Sequence, residues 1–444
     1  MKRIILAALA VSSIVVSCKE NNDYIKLTHD PILFSTTEKK LNDIVLENNF
    51  PPVIASRNYV YANIAAYEVV AAGDDSEYTS LAGQIKHMPP MPKPEAGMKI
   101  DFPFAAMIAF CKVGNAVTFP EGSMDAYVEE LKKKVRDAGM PSAVFDNSTA
   151  FANKIADSIL SWSKKDHYAQ LRSASKYTVT NEPGTWVPTP PMYAQAIEPH
   201  WKEMRTMVLD SSSQFMPVRP PKFDPLNKTS ESYKAIIEVK NIVDSLTPEQ
   251  KNIADFWDDN PFKTNVIGHV MYATKKFSPS GHWMNIIGII SNDQHADFNT
   301  MVYAYAKTSI AMYDAFISCW DEKYRSNYVR PETVINKFYS ADWQPYIQTP
   351  PFPEYTSGHA VISAAAAEVM TDIYGDNVSY TDTSESEFGI APRSFTSIRK
   401  AAVEAGVSRV YGGIHYRYSC AVGHDEGVAV GQLVVDRLRM KKKK

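Results

Sequence analysis

Cysteine is scarce in this chain, 4 in 444 residues, and no two of the four stand at a CxxC or Cys/His ligand spacing. That excludes a zinc-finger-like centre and a fold built on disulfides. Neither sign of charge dominates, since 47 Lys and Arg against 50 Asp and Glu leave a formal charge of −3, so nothing in the balance draws the protein to nucleic acid. Beyond the N-terminus no run of apolar residues is long enough to cross a bilayer, and no repeat period is visible. What remains is a chain with 45% hydrophobic residues, enough to bury a sizeable core.

The opening "MKRIILAALAVSSIVVSC" joins two early basic residues to a short apolar run, the pattern of an export signal. It ends in "VVSC", small residues ahead of a cysteine, which resembles a bacterial lipobox with Cys18 as the lipidated residue. Residues 1–18 are therefore expected to be a lipoprotein signal, with "KENND" as a tether and the cell envelope, the outer membrane in particular, as the address. Cys111, Cys319 and Cys420 are left over and read as buried small hydrophobes.

Segments such as "YVYANIAAYEVVAA" and "TAFANKIADSILSWSKKD" space apolar residues three and four apart, the mark of amphipathic helices. The expected fold class is all-α. Residues 19–182 form an N-terminal helical region, and 183–245 a proline-rich strap and connecting segment, whose Trp186, Tyr193, Trp201 and Phe215 argue against a solvated linker. Thr247 before Pro248, Glu249 and Gln250 predicts a helix start. Residues 246–440 then form a C-terminal helical bundle, and 441–444 a solvated basic tail.

Chemistry concentrates in three short stretches of that bundle. Met312, Phe316, Trp320 and Lys323 follow one another at spacings of four, four and three, so the lysine extends an apolar face inward, and Arg330 before Pro331 ends its helix. Ser357 before Gly358, His359 and an alanine-rich run reads as a helix N-cap, whose free amides attract an anion. Ile398, Ala402, Ala405 and Arg409 carry a second inward cation, with His415 beyond the flexible pair Gly412 and Gly413. A lysine and two arginines meeting a helix start would hold a tetrahedral oxyanion, with two histidines left for bonding and proton transfer.

The order of these pieces carries a resemblance. "KYRSNYVRP", "PEYTSGH" and "SRVYGGIH" together look like the three-part signature of the type-2 phosphatidic acid phosphatase and vanadium haloperoxidase superfamily. Its placement of Ser-Gly-His makes Ser357–His359 the working copy, while the copy Ser280–His282 reads as structural, with a substrate-channel role for His282 as the alternative. "PPFPEYTSGHA" is similar to vanadium chloroperoxidases, with Phe352 beside the halide pocket and Trp320 matching a pocket tryptophan.

By this resemblance vanadate sits on His415 as metal ligand, held by Lys323, Arg330, Ser357, Gly358 and Arg409, with His359 as acid–base and Lys323 polarising bound peroxide. Hydrogen peroxide and a halide are the implied partners. The phosphatase alternative, in which His415 attacks a phosphate ester, stays open, as does an anion- or partner-binding lipoprotein without catalysis. Ser419 stands where many members carry an acid that orients the ligand histidine, and Val329 where an aromatic often precedes the arginine. Asp258 or Asp259 is the candidate for an acid paired with a site arginine. The membrane is approached only through the lipid anchor, and a homodimer is a possible assembly.

Overall fold

The computed structural model describes residues 22–261, 263–267 and 270–442. The stretch expected to be an export signal, with Cys18, lies outside the described residues. In chain order the helices are α1 (Asp23–Thr28), α2 (Pro31–Glu47), α3 (Pro52–Gly73), α4 (Phe102–Val117), α5 (Asp125–Asp137), α6 (Ser142–Ser163), α7 (Tyr168–Leu171), α8 (Glu231–Asp244), α9 (Pro248–Phe256), α10 (Pro279–Asp293), α11 (Phe298–Ser326), α12 (Pro331–Phe338), α13 (Gly358–Tyr374), α14 (Ile398–Tyr411) and α15 (Arg417–Arg437). Two small antiparallel hairpins, β1 (Lys263–Ile267) with β2 (Val270–Thr274) and β3 (Tyr380–Asp382) with β4 (Arg393–Phe395), interrupt an otherwise helical chain. Short strands of this size show little repeated alternation, so the all-α expectation does not include them. None of the described helices is long and apolar enough to cross a membrane.

Helix α11 organises the molecule. It runs for 29 residues and is buried on every side from Met301 to Lys323, so it must sit at the centre. One side packs on α3, and through it on α4 and α6, while the other packs on α13 and α15. Helices α13 and α15 approach closely because Gly423, Gly427 and Gly431 line α15 at intervals of four. A Cβ on Gly427 would stand 2.1 Å from the Val361 carbonyl oxygen, a distance no side chain tolerates. This contact brings the start of α13 against the loop that precedes α15.

The strap is ordered, but not uniformly. Trp186 and Trp201 are fully buried, whereas the Tyr193 side chain is 64% exposed. The buried carboxylate of Asp314, midway along α11, accepts the N–H groups of Met207, Val208 and Leu209 at 2.7, 2.7 and 2.9 Å. Burial pushes this carboxyl up to about 6 against those bonds. Ile197 receives the Trp320 indole N–H at 3.2 Å, so the strap also lies across the end of α11 that carries Lys323. Helix α9 opens on a capping box between Thr247 and Gln250. In the expected basic tail Lys441 pairs with Glu77 at 3.0 Å, and Lys443 and Lys444 lie outside the described residues. Cys111, Cys319 and Cys420 are buried and unpaired with one another.

Candidate functional site

Four elements deliver the site: the end of α11, the start of α12, the start of α13 and the α14–α15 turn. Lys323, fully buried in the last turn of α11, donates to the carbonyls of Pro353, Glu354 and Thr356 at 3.0, 3.1 and 2.5 Å. Its three protons thus fix the loop leading into α13. Thr356 is held in turn by the Glu426 carboxylate of α15 at 2.7 Å, whose other oxygen accepts from Ser318 at 2.7 Å. Arg330 caps α12 by position and donates through Nε to the Phe352 carbonyl at 3.0 Å and through Nη1 to Ile414 at 2.8 Å. Arg409, in the last turn of α14, bonds the carbonyls of Trp257 and, at 3.5 Å, Asp258.

His415 follows Gly413, whose φ of +79° requires the left-handed freedom of glycine to turn the chain back into the site. Its Nδ1 stands 2.8 Å from Glu354 Oε1, which also accepts the Tyr416 N–H at 3.1 Å. Its Nε2 faces Arg330 Nη1 at 3.0 Å. Since an arginine can only donate, Nδ1 carries the proton and Nε2 presents a lone pair. Glu354 is therefore the orienting acid in this fold, and Ser419 is not. Ser419 receives the Ser357 N–H on its carbonyl at 3.3 Å, and its hydroxyl lies beside Glu354, where it favours the ionised carboxylate. Glu354 lies within the "PEYTSGH" motif, but its partner is 61 positions away, beyond the reach of any local spacing.

Ser357 occupies the N-cap position of α13, but its hydroxyl makes no capping bond. His359 lines the same cavity as His415, with Trp320, Phe352, Gly358 and Arg409. Its Nε2 stands 3.4 Å from Asp259 Oδ2, outside hydrogen-bonding geometry. Of the two acids in "FWDDNP", neither carboxylate bonds a site arginine. Asp258 pairs with Lys263 at 3.1 Å, and Asp259 faces histidines instead. Asp259 adopts φ +34°, rare for a residue with a side chain and held by its surroundings at a cost of about 1–3 kcal/mol.

The electrostatics describe a cluster of cations short of an anion. Burial, reinforced by Arg330 and opposed by Cys319, Glu354 and Glu426, lowers Lys323 to about 8. Burial also lowers Arg330 to about 10, with Arg409 adding to the effect. His359 falls to about 4 through burial and Arg409, and His415 is pushed well below the usual histidine range by burial and the three cations. Burial lifts Glu354 to about 7 although Arg330 and Lys323 pull it down. Buried Arg330 Nη2 and Arg409 Nε lack hydrogen-bond partners among the described residues, and Ser357 Oγ has only the weak Cys420 thiol beside it. Each such guanidinium N–H costs about 1–3 kcal/mol if left so. Orphaned donors beside the His415 lone pair fit an oxyanion whose central atom that nitrogen can bond, as in vanadate or phosphate.

Trp320 and Phe352 form one wall, their ring centroids 5.0 Å apart. The Phe352 face lies 5.0 Å from Lys323 Nζ and 5.1 Å from the Arg330 guanidinium. Val329 is buried against the neighbouring aromatic cluster of Tyr328, Tyr355 and Tyr416 rather than in this cavity.

Comparison with known proteins gives a consistent result. Residues 303–443 match the family described as the VCPO second helical-bundle domain. The chain is similar to the solved structure of a bacterial vanadium-dependent iodoperoxidase, with 42% identity and a TM-score of 0.88, covering 93% of this chain and 98% of that one. Holo and apo forms of a bacterial vanadium-dependent chloroperoxidase show the same fold at 16% identity, with TM-scores of 0.65 and 0.67, covering 87% of this chain and 92% and 94% of theirs. Among curated proteins no match is found.

Proposed function

Because the chain belongs to the vanadium-dependent haloperoxidase family, we propose that it is an iodide-oxidising member, coupling hydrogen peroxide to formation of hypoiodous acid. The observation that carries the choice of iodide is its extensive likeness to the bacterial iodoperoxidase. The fit of the cofactor rests on this chain's own atoms. Arg330 Nη2, Arg409 Nε, Ser357 Oγ and the first-turn amide of Gly358 would hold the vanadate oxygens, and His415 Nε2 would be the protein ligand to the metal once its lone pair is released from Arg330 Nη1. When bound, vanadate supplies a Lewis acid that activates peroxide without changing oxidation state.

The remaining work falls to side chains. Neutral at ordinary pH, His359 accepts and returns a proton at the oxygen of incoming peroxide from the Asp259 side of the cavity. Glu354 fixes the His415 tautomer so that Nε2 faces inward. Lys323 sets the shape of the Pro353–Thr356 loop and contributes positive field beneath the anion. Trp320 and Phe352 exclude water and offer aromatic surface to a large, polarisable halide.

The test is peroxide-dependent oxidation of iodide, bromide and chloride by the vanadate-loaded protein, beside hydrolysis of an aryl phosphate. Iodide oxidation abolished by His415→Ala and His359→Ala is the expected result. Hydrolysis inhibited by vanadate, with no halide oxidised, would assign the phosphatase reaction to the same cradle. We also read the N-terminal stretch as export and lipid anchoring through Cys18, which the mass of the mature N-terminal peptide checks.

A further inference from the structure

The second Ser-Gly-His copy ends in a histidine with an unusual environment. His282, in the first turns of α10, has no exposure. Its Nδ1 stands 2.9 Å from Asp259 Oδ1 and its Nε2 2.9 Å from Asp382 Oδ2. A neutral imidazole has one N–H and one lone pair, so one of these nitrogens would confront a carboxylate with no proton between them. The ring is therefore an imidazolium bracketed by two anions. Burial acts against its charge, but Asp259 and Asp382 together raise its proton affinity well above the usual value.

Every part of this bracket is fixed. The ring stacks on Trp257 with centroids 4.6 Å apart and planes at 26°. Asp382, at the end of β3, receives the Ser384 N–H at 2.9 Å and its hydroxyl at 2.6 Å on the oxygen not facing His282. Asp259 gives one oxygen to His282 and turns the other to His359 at 3.4 Å. A continuous line of groups thus runs from the site, through Asp259 and His282, to the β3–β4 hairpin.

We propose that His282 is a positioning residue for the reaction: its imidazolium clamps Asp259 in the rotamer that aims the free carboxylate oxygen at His359 and keeps that oxygen ionised. This rests on His359 being the proton-transferring group. Three further ionisable groups face His359 or its partner: Arg409 and Asp258 lie toward His359, and Glu385 stands 3.8 Å from His282 Nδ1. Glu385 has no hydrogen-bond partner for either oxygen among the described residues, and burial lifts it to about 8. Burial thus works against a third negative charge in the bracket. The ligand atoms of Asp259, His282 and Glu385 lie within 4.8 Å of one another, so a divalent cation is the rival occupant of the place that the His282 proton fills in this proposal.

The experiment compares wild type, His282→Gln and Asp382→Asn in the full mature chain. Gln keeps a hydrogen-bond donor and removes the charge. In vanadate-saturated enzyme, His282→Gln is expected to lower kcat about ten-fold with the halide KM within about two-fold, and to move the His359 limb of the pH profile about one unit lower, because Asp259 rotates away or takes up a proton. Asp382→Asn moves the same limb the same way by less, and the double variant is no worse than His282→Gln alone. The His359 titration is also read by NMR in vanadium-free protein saturated with inorganic phosphate. That readout separates failure of the clamp from absence of halide oxidation. An unchanged His359 titration in both variants overturns the proposal, whatever happens to melting temperature, and Asp382→Asn decides if His282→Gln does not fold. It is overturned equally if elemental analysis finds about one equivalent of a divalent cation that survives dialysis and is lost in Glu385→Gln.

Discussion

The chain spells Ser-Gly-His twice, and the two copies differ in where the triplet falls on its helix. In α10, Ser278 is the N-cap and takes the Gly281 N–H on its hydroxyl at 3.2 Å and the His282 N–H on its carbonyl at 2.9 Å, so the triplet is already inside the first turn and these two amides are consumed. In α13 the serine of the triplet is itself the N-cap, its hydroxyl makes no capping bond, and the Gly358 and His359 amides open the helix. The glycines differ as well. A Cβ on Gly281 would meet Asn42 Oδ1 at 2.6 Å and the Tyr59 hydroxyl at 3.0 Å, while one on Gly358 meets nothing nearer than Trp320 at 3.8 Å. The change of position relative to the cap turns one copy into packing and leaves the other with open space above free donors.

The largest expected effect falls on the histidines of the α13 side. His415→Ala removes the candidate metal ligand and should abolish vanadate retention and halide oxidation together, seen by elemental analysis and initial rates. His359→Ala should keep vanadate bound and lower kcat by about 10²–10⁴. Equal losses from His359→Ala and His282→Gln would erase the distinction between the copies.

The glycines give a smaller contrast of opposite sign. Gly281→Ala should destabilise the fold by about 1–3 kcal/mol in urea unfolding, with vanadate affinity unchanged. Gly358→Ala should leave stability within about 0.5 kcal/mol and weaken vanadate binding about ten-fold, by crowding the anion's amide donors.

How far the sequence could show this follows from which contacts are local. The inward cations Lys323 and Arg409 are legible because each continues an apolar stripe of one helix, and Thr247 is legible because a capping box spans four residues. The roles of Glu354, Asp259 and Asp382 are not, since each is set by a partner on another element: His415 for the first and His282 for the other two. Ser419 stands where an acid is common, but the incoming loop supplies the acid as Glu354, and the Ser419 hydroxyl lies beside that carboxylate rather than on the His415 ring. The hairpin that brings Asp382 to His282 has three residues per strand, too few for a period-two pattern to stand out.

That substitution of one acid for another is testable. Glu354→Gln keeps an oxygen for the His415 N–H but loses the charge that makes the ring a good ligand, and should weaken vanadate binding about ten-fold or more by titration. Ser419→Ala should change it by less than about two-fold.

The smallest perturbation needs no mutation. In vanadium-free protein, His282 should appear by NMR as a charged imidazolium throughout the neutral range, and His359 as a neutral ring until the pH approaches about 4. The two copies then act on stability in opposite directions. With its folded affinity for protons raised, His282 contributes stability that is full below the unfolded histidine value and is lost only as pH climbs through its own folded value. His359, with its affinity lowered, binds fewer protons folded than unfolded between the ordinary value of 6.5 and about 4, so its share of stability falls as pH drops through that window. An oxyanion in the cradle should pull the His359 transition upward by offsetting Arg409, while the bracketed His282 signal stays where it is. A His282 signal that moves in step with His359 on adding inorganic phosphate would mean that the two imidazoles share one site rather than dividing packing from chemistry.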